Sequence, residues 1–316
     1  MIGRVKRLLP LFTAAVLAAL VPAAAYATFP GGNGRIAYHR VDDFQSPQRP
    51  YDILTVKPDG RHIANITNDA AYDQEPDWSP DGRKIAFMRS YFIGEIIQIY
   101  VMKANGKAKA QLTHLPGISL SPSWSPDGSR IVFLYDEDLD GAAEIYTMAP
   151  DGSDLRPVTA SGTDHVSPKW SPSGDRILFS AQETSDRSSD YDLYTIRPDG
   201  TDLRRVAALP GDQGGSDWSP DGRQIVLSTT YPREVPYRTD IQRLNVDGTG
   251  LVSLGVSGYN PVWSPDGTRI AYQAWPSPAA STDLATINPD GTGFVSLDDD
   301  PGNAGAPSWQ RRTKGG

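Results

Sequence analysis

The residues of this chain best suited to chemistry are four carboxylates in one short stretch. Asp136-Glu137-Asp138-Leu139-Asp140-Gly141-Ala142-Ala143-Glu144 places acids at loop positions one, three, five and nine, with glycine at six. This is a calcium-loop spacing, because a hard divalent cation needs several oxygens converging on one sharp turn. Asp136, Asp138, Asp140 and Glu144 are therefore candidate calcium ligands. The twelfth position, where an EF-hand carries its bidentate glutamate, is Thr147, and no helix pair is indicated on either side. A structural reading stands beside this one: Asp52, Asp192, Asp240 and Asp283 occupy places equivalent to Glu144.

Acid–base chemistry near neutral pH would fall to His39, His62, His114 and His165, which lie far apart without the spacing of a metal site or of a nucleophile and its base. No Gly-x-Ser-x-Gly elbow and no phosphate loop occurs. Two other sets suit binding. Tyr91, Phe92, Ile93, Tyr231, Tyr237 and Trp275 sit in variable segments and fit a protein hot spot or a platform on which a sugar stacks; the alternative is that they fold back over strand edges. Acids crowd at Asp69, Asp73, Glu75 and Asp77, at Asp212 and Asp217, and at Asp298 to Asp300. They either line a cation-favouring mouth or are solvated loop charges.

The elements that position these residues are repeats. Trp78-Ser79-Pro80-Asp81-Gly82 recurs at Trp124, Trp170 (with Ser173 for the aspartate), Trp218, Trp263 and, degraded, at Trp309, in steps of 45 to 48 residues. A fixed period of this size marks a stacked-repeat fold. Each unit reads as four short strands: Glu75 to Trp78, Lys84 to Phe87, Gln98 to Met102, and a strand ending at Thr113. Pro-Asp-Gly and Asn105-Gly106 supply the turns, proline presetting φ and glycine accepting positive φ. Four strands per period is the spacing of a β-propeller blade. The second-strand pattern occurs six times, at Ile36, Ile85, Ile131, Ile177, Ile225 and Ile270, but no Trp strand precedes Ile36 and one is left over at Trp309. The expectation is an all-β, six-bladed propeller of four antiparallel strands per blade, with residues 304 to 310 completing the first blade and hiding its open edge.

Arg4, Lys6 and Arg7, an apolar run from Leu8 to Val21 and Ala25-Tyr26-Ala27 read as a signal peptide, residues 1–27, leaving residues 28–316 as one exported propeller domain, periplasmic or extracellular. The chain has no cysteine, so packing alone must hold it. Without the three basic residues of the leader its net charge is about −11, which argues against nucleic acid and anionic lipid as partners.

Pro-x-Trp-Ser-Pro-Asp-Gly-x-x-Ile-Ala-Phe, followed by Glu144-Ile-Tyr-x-Met148 and x-x-Asp-Gly, resembles the WD40-like (PD40) repeat of TolB-like six-bladed propellers over nearly all of the mature chain. TolB itself carries an additional N-terminal α/β domain, whereas here Phe29-Pro30 leads straight into the first blade. The resemblance implies a fold and a face. Tight turns occupy one face, while the variable segments 41–50, 90–95, 135–143, 181–191, 229–239 and 274–282 share the other, where binding residues concentrate. The expected function is a monomeric, non-enzymatic scaffold binding a protein or peptide, including a basic one, or a carbohydrate. The alternative is a carbohydrate-active hydrolase or lyase, since scattered histidines converge in the channel of some metal-dependent polysaccharide lyases of this fold. Calcium is the one cofactor indicated. If it binds, titration to millimolar calcium releases heat and raises the melting temperature; silence in both removes the site.

Overall fold

The computed structural model describes residues 32–41, 50–91, 96–183, 190–231, 238–275, 282–298 and 303–312. Blade 2 shows the plan. Its strands Tyr72–Trp78, Lys84–Ser90, Gln98–Lys103 and Ala110–Gln111 pair in that order, antiparallel throughout. Blades 3 to 6 repeat it behind the inner strands Ile118–Trp124, His165–Trp170, Asp212–Trp218 and Gly258–Trp263. Blade 1 is composite: Gly32–Val41, Asp52–Val56 and Ala64–Asn65 take Asn303–Arg312 as their inner strand, with Ile36 opposite Trp309 and Ala37 opposite Ser308. The expected closure is thus present, and two residues longer at its C-terminal end. The leader segment lies outside the described residues. Among the described residues no helix is long and apolar enough to cross a membrane.

The Trp-Ser-Pro-Asp-Gly turn is closed by its own side chains. Ser79 Oγ donates to Asp81 at 2.6 Å, Asp81 accepts the Arg83 N–H at 3.0 Å, and the Lys84 N–H returns to Ser79 Oγ at 2.9 Å. In blade 4 Ser173 replaces the aspartate, and Asp175 accepts the Ser171 hydroxyl instead, at 2.9 Å. The second turn fixes a neighbour. Gly106 has φ of 78°, and a Cβ there would sit 1.9 Å from the Ile66 carbonyl oxygen of blade 1, so both backbone and packing demand glycine.

Second strands such as Lys84–Ser90 are flanked by sheets on both faces, which is why they read as continuous apolar runs rather than alternating ones. The core is correspondingly divided among junctions. Trp78 packs with Ile85, Phe87 and Met102 against Ala37 and Ile53 of blade 1, and Trp124 with Ile131 and Phe133 against Ile99 and Val101 of blade 2. Trp309 closes the circle, joining Ile36, Tyr38 and Leu54 to Val262, Leu284 and Leu297 of blade 6. All six motif tryptophans are between 5% and 8% exposed. Trp309→Ala should therefore destabilise the protein as much as Trp124→Ala, by about 3–5 kcal/mol. Guanidinium unfolding checks this, and a loss for Trp309→Ala of less than about 1 kcal/mol would show that the closing strand is not an integral part of the ring.

Candidate functional site

Every inner strand carries the same irregularity. The register slips between Gln74 and Asp77, Leu120 and Ser123, Val166 and Lys169, Gly214 and Asp217, and Tyr259 and Val262, and between Gly305 and Ser308 of the closing strand. The first residue inside each slip has positive φ: Glu75 (50°), Ser121 (51°), Ser167 (54°), Gly215 (47°), Asn260 (50°) and Ala306 (46°). These are β-bulges, and a bulge bends the strand and re-aims the side chains after it. It also tolerates the prolines that follow in five blades, since a bulged residue owes no hydrogen bond to the ladder. The product is a layered axis. Glu75, Ser121, Ser167, Asn260 and Lys169 line a chamber of about 70 Å³ toward the loop face. Asp77, Lys169, Asp217, Arg311 and the six tryptophans line a cavity of about 150 Å³ toward the turn face.

Lys169 lies between the two. Its Nζ is 3.5 Å from Asp77 Oδ1. Burial works against its charge, yet the carboxylates of Asp77, Asp217 and Glu75 outweigh that and hold its pKa above the ordinary lysine value. Burial pushes the Asp217 carboxyl up to about 7 despite the pull of Lys169. All three acids also join blades. Asp77 Oδ2 accepts the Trp124 N–H and Asp217 Oδ2 the Trp263 N–H, each at 2.8 Å, while Ser121 donates to Glu75 at 2.7 Å. The axis therefore carries three acidic side chains for one lysine, with Arg311 at the turn-face end.

Of the other crowded acids, Asp212 accepts the Tyr191 N–H at 3.1 Å, and Asp69, Asp73 and Asp298 belong to loop-face ion pairs. Arg89 bridges Asp73 (2.5 Å) and Asp69 (2.7 Å), and Arg40 holds Asp298 at 2.9 Å, with the Tyr38 hydroxyl donating to the same carboxylate at 2.6 Å. Asp299 and Asp300 lie outside the described residues, as do Phe92, Ile93 and Tyr237. Tyr91 is half exposed, 5.7 Å from the Arg89 guanidinium. Tyr231 carries the Arg238 guanidinium 4.2 Å above its ring, and Trp275 rests against Tyr259 at 5.8 Å. The described aromatic candidates thus stand on blades 2, 5 and 6, each braced by a neighbour in its own blade.

Three of the four calcium candidates face backbone. Asp136 Oδ2 accepts the Gly141 N–H and Asp140 Oδ1 the Ala142 N–H, each at 2.8 Å. Glu144 Oε1 accepts the N–H groups of Ser161 (2.7 Å) and Gly162 (2.6 Å), and Asp138 is exposed. Glu144 pairs with Tyr135 at the register position that Asp52 and Asp192 hold in their blades. Among the described residues no three His, Asp or Glu side chains gather closely enough to hold a metal ion.

Of the histidines, His39 is half-buried, and desolvation by the surrounding protein drives its pKa down to about 4 and keeps it neutral; its Nδ1 accepts the Glu75 N–H at 3.4 Å. His165 donates from Nδ1 to the Ala143 carbonyl at 2.9 Å, leaving Nε2 facing Ser161 Oγ at 3.4 Å, with Glu144 Oε2 3.6 Å from Nδ1. This serine, histidine and glutamate resemble a nucleophile, base and orienting acid, but the adjacent backbone N–H groups that would stabilise an oxyanion are taken by Glu144. His62 and His114 are exposed on the surface.

Sequence reasoning passed over Lys169. Its signal is variation inside a constant motif: the residue before each Trp is Asp, Ser, Lys, Asp, Val or Ser. The raised Asp217 pKa gives a testable pH dependence. Its unfolded carboxyl titrates near 3.9, so stability from the protonated form is fully present below that pH and is lost as pH rises through about 7. Relative to Asp217→Asn, the native protein should lose on the order of 1 kcal/mol between about pH 4 and 7, then level off. Urea unfolding of both proteins across that window measures it, and a constant difference would contradict the assignment.

The TolB beta propeller domain family model (PD40) matches residues 33–313. No curated protein matches the chain. Among solved structures, TolB from Acinetobacter baumannii is similar with 22% identity and a TM-score of 0.73 over 90% of this chain and 67% of its own. A putative TolB from Agrobacterium tumefaciens gives 17% and 0.64 over 87% and 99%. An oligogalacturonate lyase in complex with manganese gives 13% and 0.54 over 78% and 72%. At these identities the likeness establishes the fold, and with a family model spanning nearly every described residue, this chain belongs to the TolB beta propeller domain family.

Proposed function

We propose that the protein is an exported, non-enzymatic scaffold that binds a protein or peptide through its loop face, with a basic side chain of the ligand seated at the axial mouth. The observation that carries this reading is the placement of charge along the axis: Glu75 stands nearest the loop-face entrance, Asp77, Asp217 and Lys169 lie deeper, and Arg311 lies at the turn-face end. A cation entering there meets Glu75 first, in a partly desolvated setting where an ion pair is worth more than on open surface. Tyr91 and Trp275 add apolar contact area on the same face. The turn face, built from one residue set used six times, offers little that would select a partner.

A carbohydrate-active hydrolase or lyase remains the rival reading, and the fold does not decide between the two, because similar propellers include both TolB and a lyase. For calcium we propose only a site formed on binding, in which Asp136 and Glu144 exchange their backbone partners for the ion.

The test is fluorescence anisotropy with a labelled lysine-rich decapeptide and its glutamate-rich counterpart. The basic peptide should bind, more weakly as salt rises, and Glu75→Gln should weaken it about tenfold, or ~1.4 kcal/mol, at unchanged melting temperature. Equal binding of both peptides, or an unaffected Glu75→Gln variant, would sink the reading.

A further inference from the structure

The position four residues before each motif tryptophan is Gln74, Leu120, Val166, Gly214, Tyr259 or Gly305. Gly305 has a packing reason to be glycine, since a Cβ would come 2.8 Å from His39 Nε2. Gly214 has none. Its φ lies outside the left-handed region, and a Cβ would meet no heavy atom within 4 Å. Glycine inside a strand costs conformational entropy on folding, and where neither backbone nor packing requires it, it marks a place that something else must approach closely.

The space over Gly214 is a cleft of about 350 Å³ on the loop face. Its walls are the side chains that hold the same position in the flanking blades, Val166 and Tyr259. Its floor is kept low by Ser228, which lies opposite Gly214 in register and donates to the Gly214 carbonyl at 2.8 Å. Tyr259 is buttressed from outside by Trp275. Around the rim stand the carboxamides of Asn260 and Gln273, the Thr230 hydroxyl, Tyr191 and Asp212; among the described residues Asp212 is the one carboxylate and no lysine or arginine lines the cleft.

These groups define a ligand class. Carboxamides present a donor and an acceptor side by side, which suits a molecule whose every hydroxyl is both. The tyrosine wall suits the apolar C–H face of a sugar ring. Asp212, with no lysine or arginine beside it among the described lining residues, opposes a carboxylate ligand. The volume is at the low end for small-molecule sites, which fits one or two sugar rings. We propose that the Gly214 cleft is a saccharide-binding site, selective for neutral or acetamido sugars over uronic acids, which adjoins the axial mouth at Asn260 but does not include Glu75.

Isothermal titration with cellobiose, N,N′-diacetylchitobiose and digalacturonate tests this on the native protein and on Gly214→Leu, the residue blade 3 carries at that position. At least one of the first two should bind, with digalacturonate about tenfold weaker or absent. Gly214→Leu should melt at or above the native temperature and bind at least about tenfold more weakly. Should that variant not fold, Gln273→Ala and Tyr259→Ala carry the same expectation of weakened binding. Glu75→Gln should bind the sugar as the native protein does, so that failure of the peptide reading and failure of this one are distinguishable. No heat from either neutral sugar at about 10 mM, or unchanged affinity in Gly214→Leu, overturns the proposal.

Discussion

Six buried indole rings at the blade junctions are the interaction on which the rest of this molecule depends. A four-stranded blade cannot bury both of its faces alone, and each motif tryptophan helps close the gap to the preceding blade. Because Trp309 performs this task from the far end of the described chain, the ring is closed by the same contact that builds it. With no cysteine to staple the first and last blades, that contact and the ladder between Gly32–Val41 and Asn303–Arg312 carry the closure.

The bulge preceding each tryptophan turns this scaffold into a site. Eleven non-glycine residues among those described have positive φ, and five of them occupy one repeated inner-strand place, so the strain there is architectural rather than incidental. Where the six copies differ in side chain, they differ on the axis: an acid ahead of Trp78 and Trp218, a lysine ahead of Trp170, a valine ahead of Trp263. Asp77 and Asp217 do two things at once, accepting a backbone N–H from a nearby inner strand and supplying the field that holds Lys169 charged. Structural and binding roles are therefore coupled at these positions, and a neutral replacement perturbs both.

Repetition made the blade count and the closure legible from residue spacing, because those follow from counting tryptophans against second strands. The axis was not legible in the same way. Strand alternation assigns a face by parity, and a bulge inserted between Gln74 and Asp77 breaks parity at the residues that matter. Lys169 was hidden inside a motif whose constancy marked it as structural. The crowded acids were visible by type, but only the fold sorts Asp73 and Asp298, neutralised by Arg89 and Arg40, from Glu75 and Asp217, which face the axis. The meaning of Gly214 depends on Val166 and Tyr259, about 48 and 45 residues away along the chain and adjacent in the ring.

The central claim is that specificity lies where the six-fold repeat is broken, at the starts of the inner strands, and not in the turns that repeat it. Hydrogen–deuterium exchange of the protein with and without its bound peptide or sugar tests this most directly. Protection should concentrate at residues 74–77, 167–169, 212–217 and 258–262. Protection centred on the Ser-Pro-Asp-Gly turns at 79–82, 125–128 and 219–222 would contradict it.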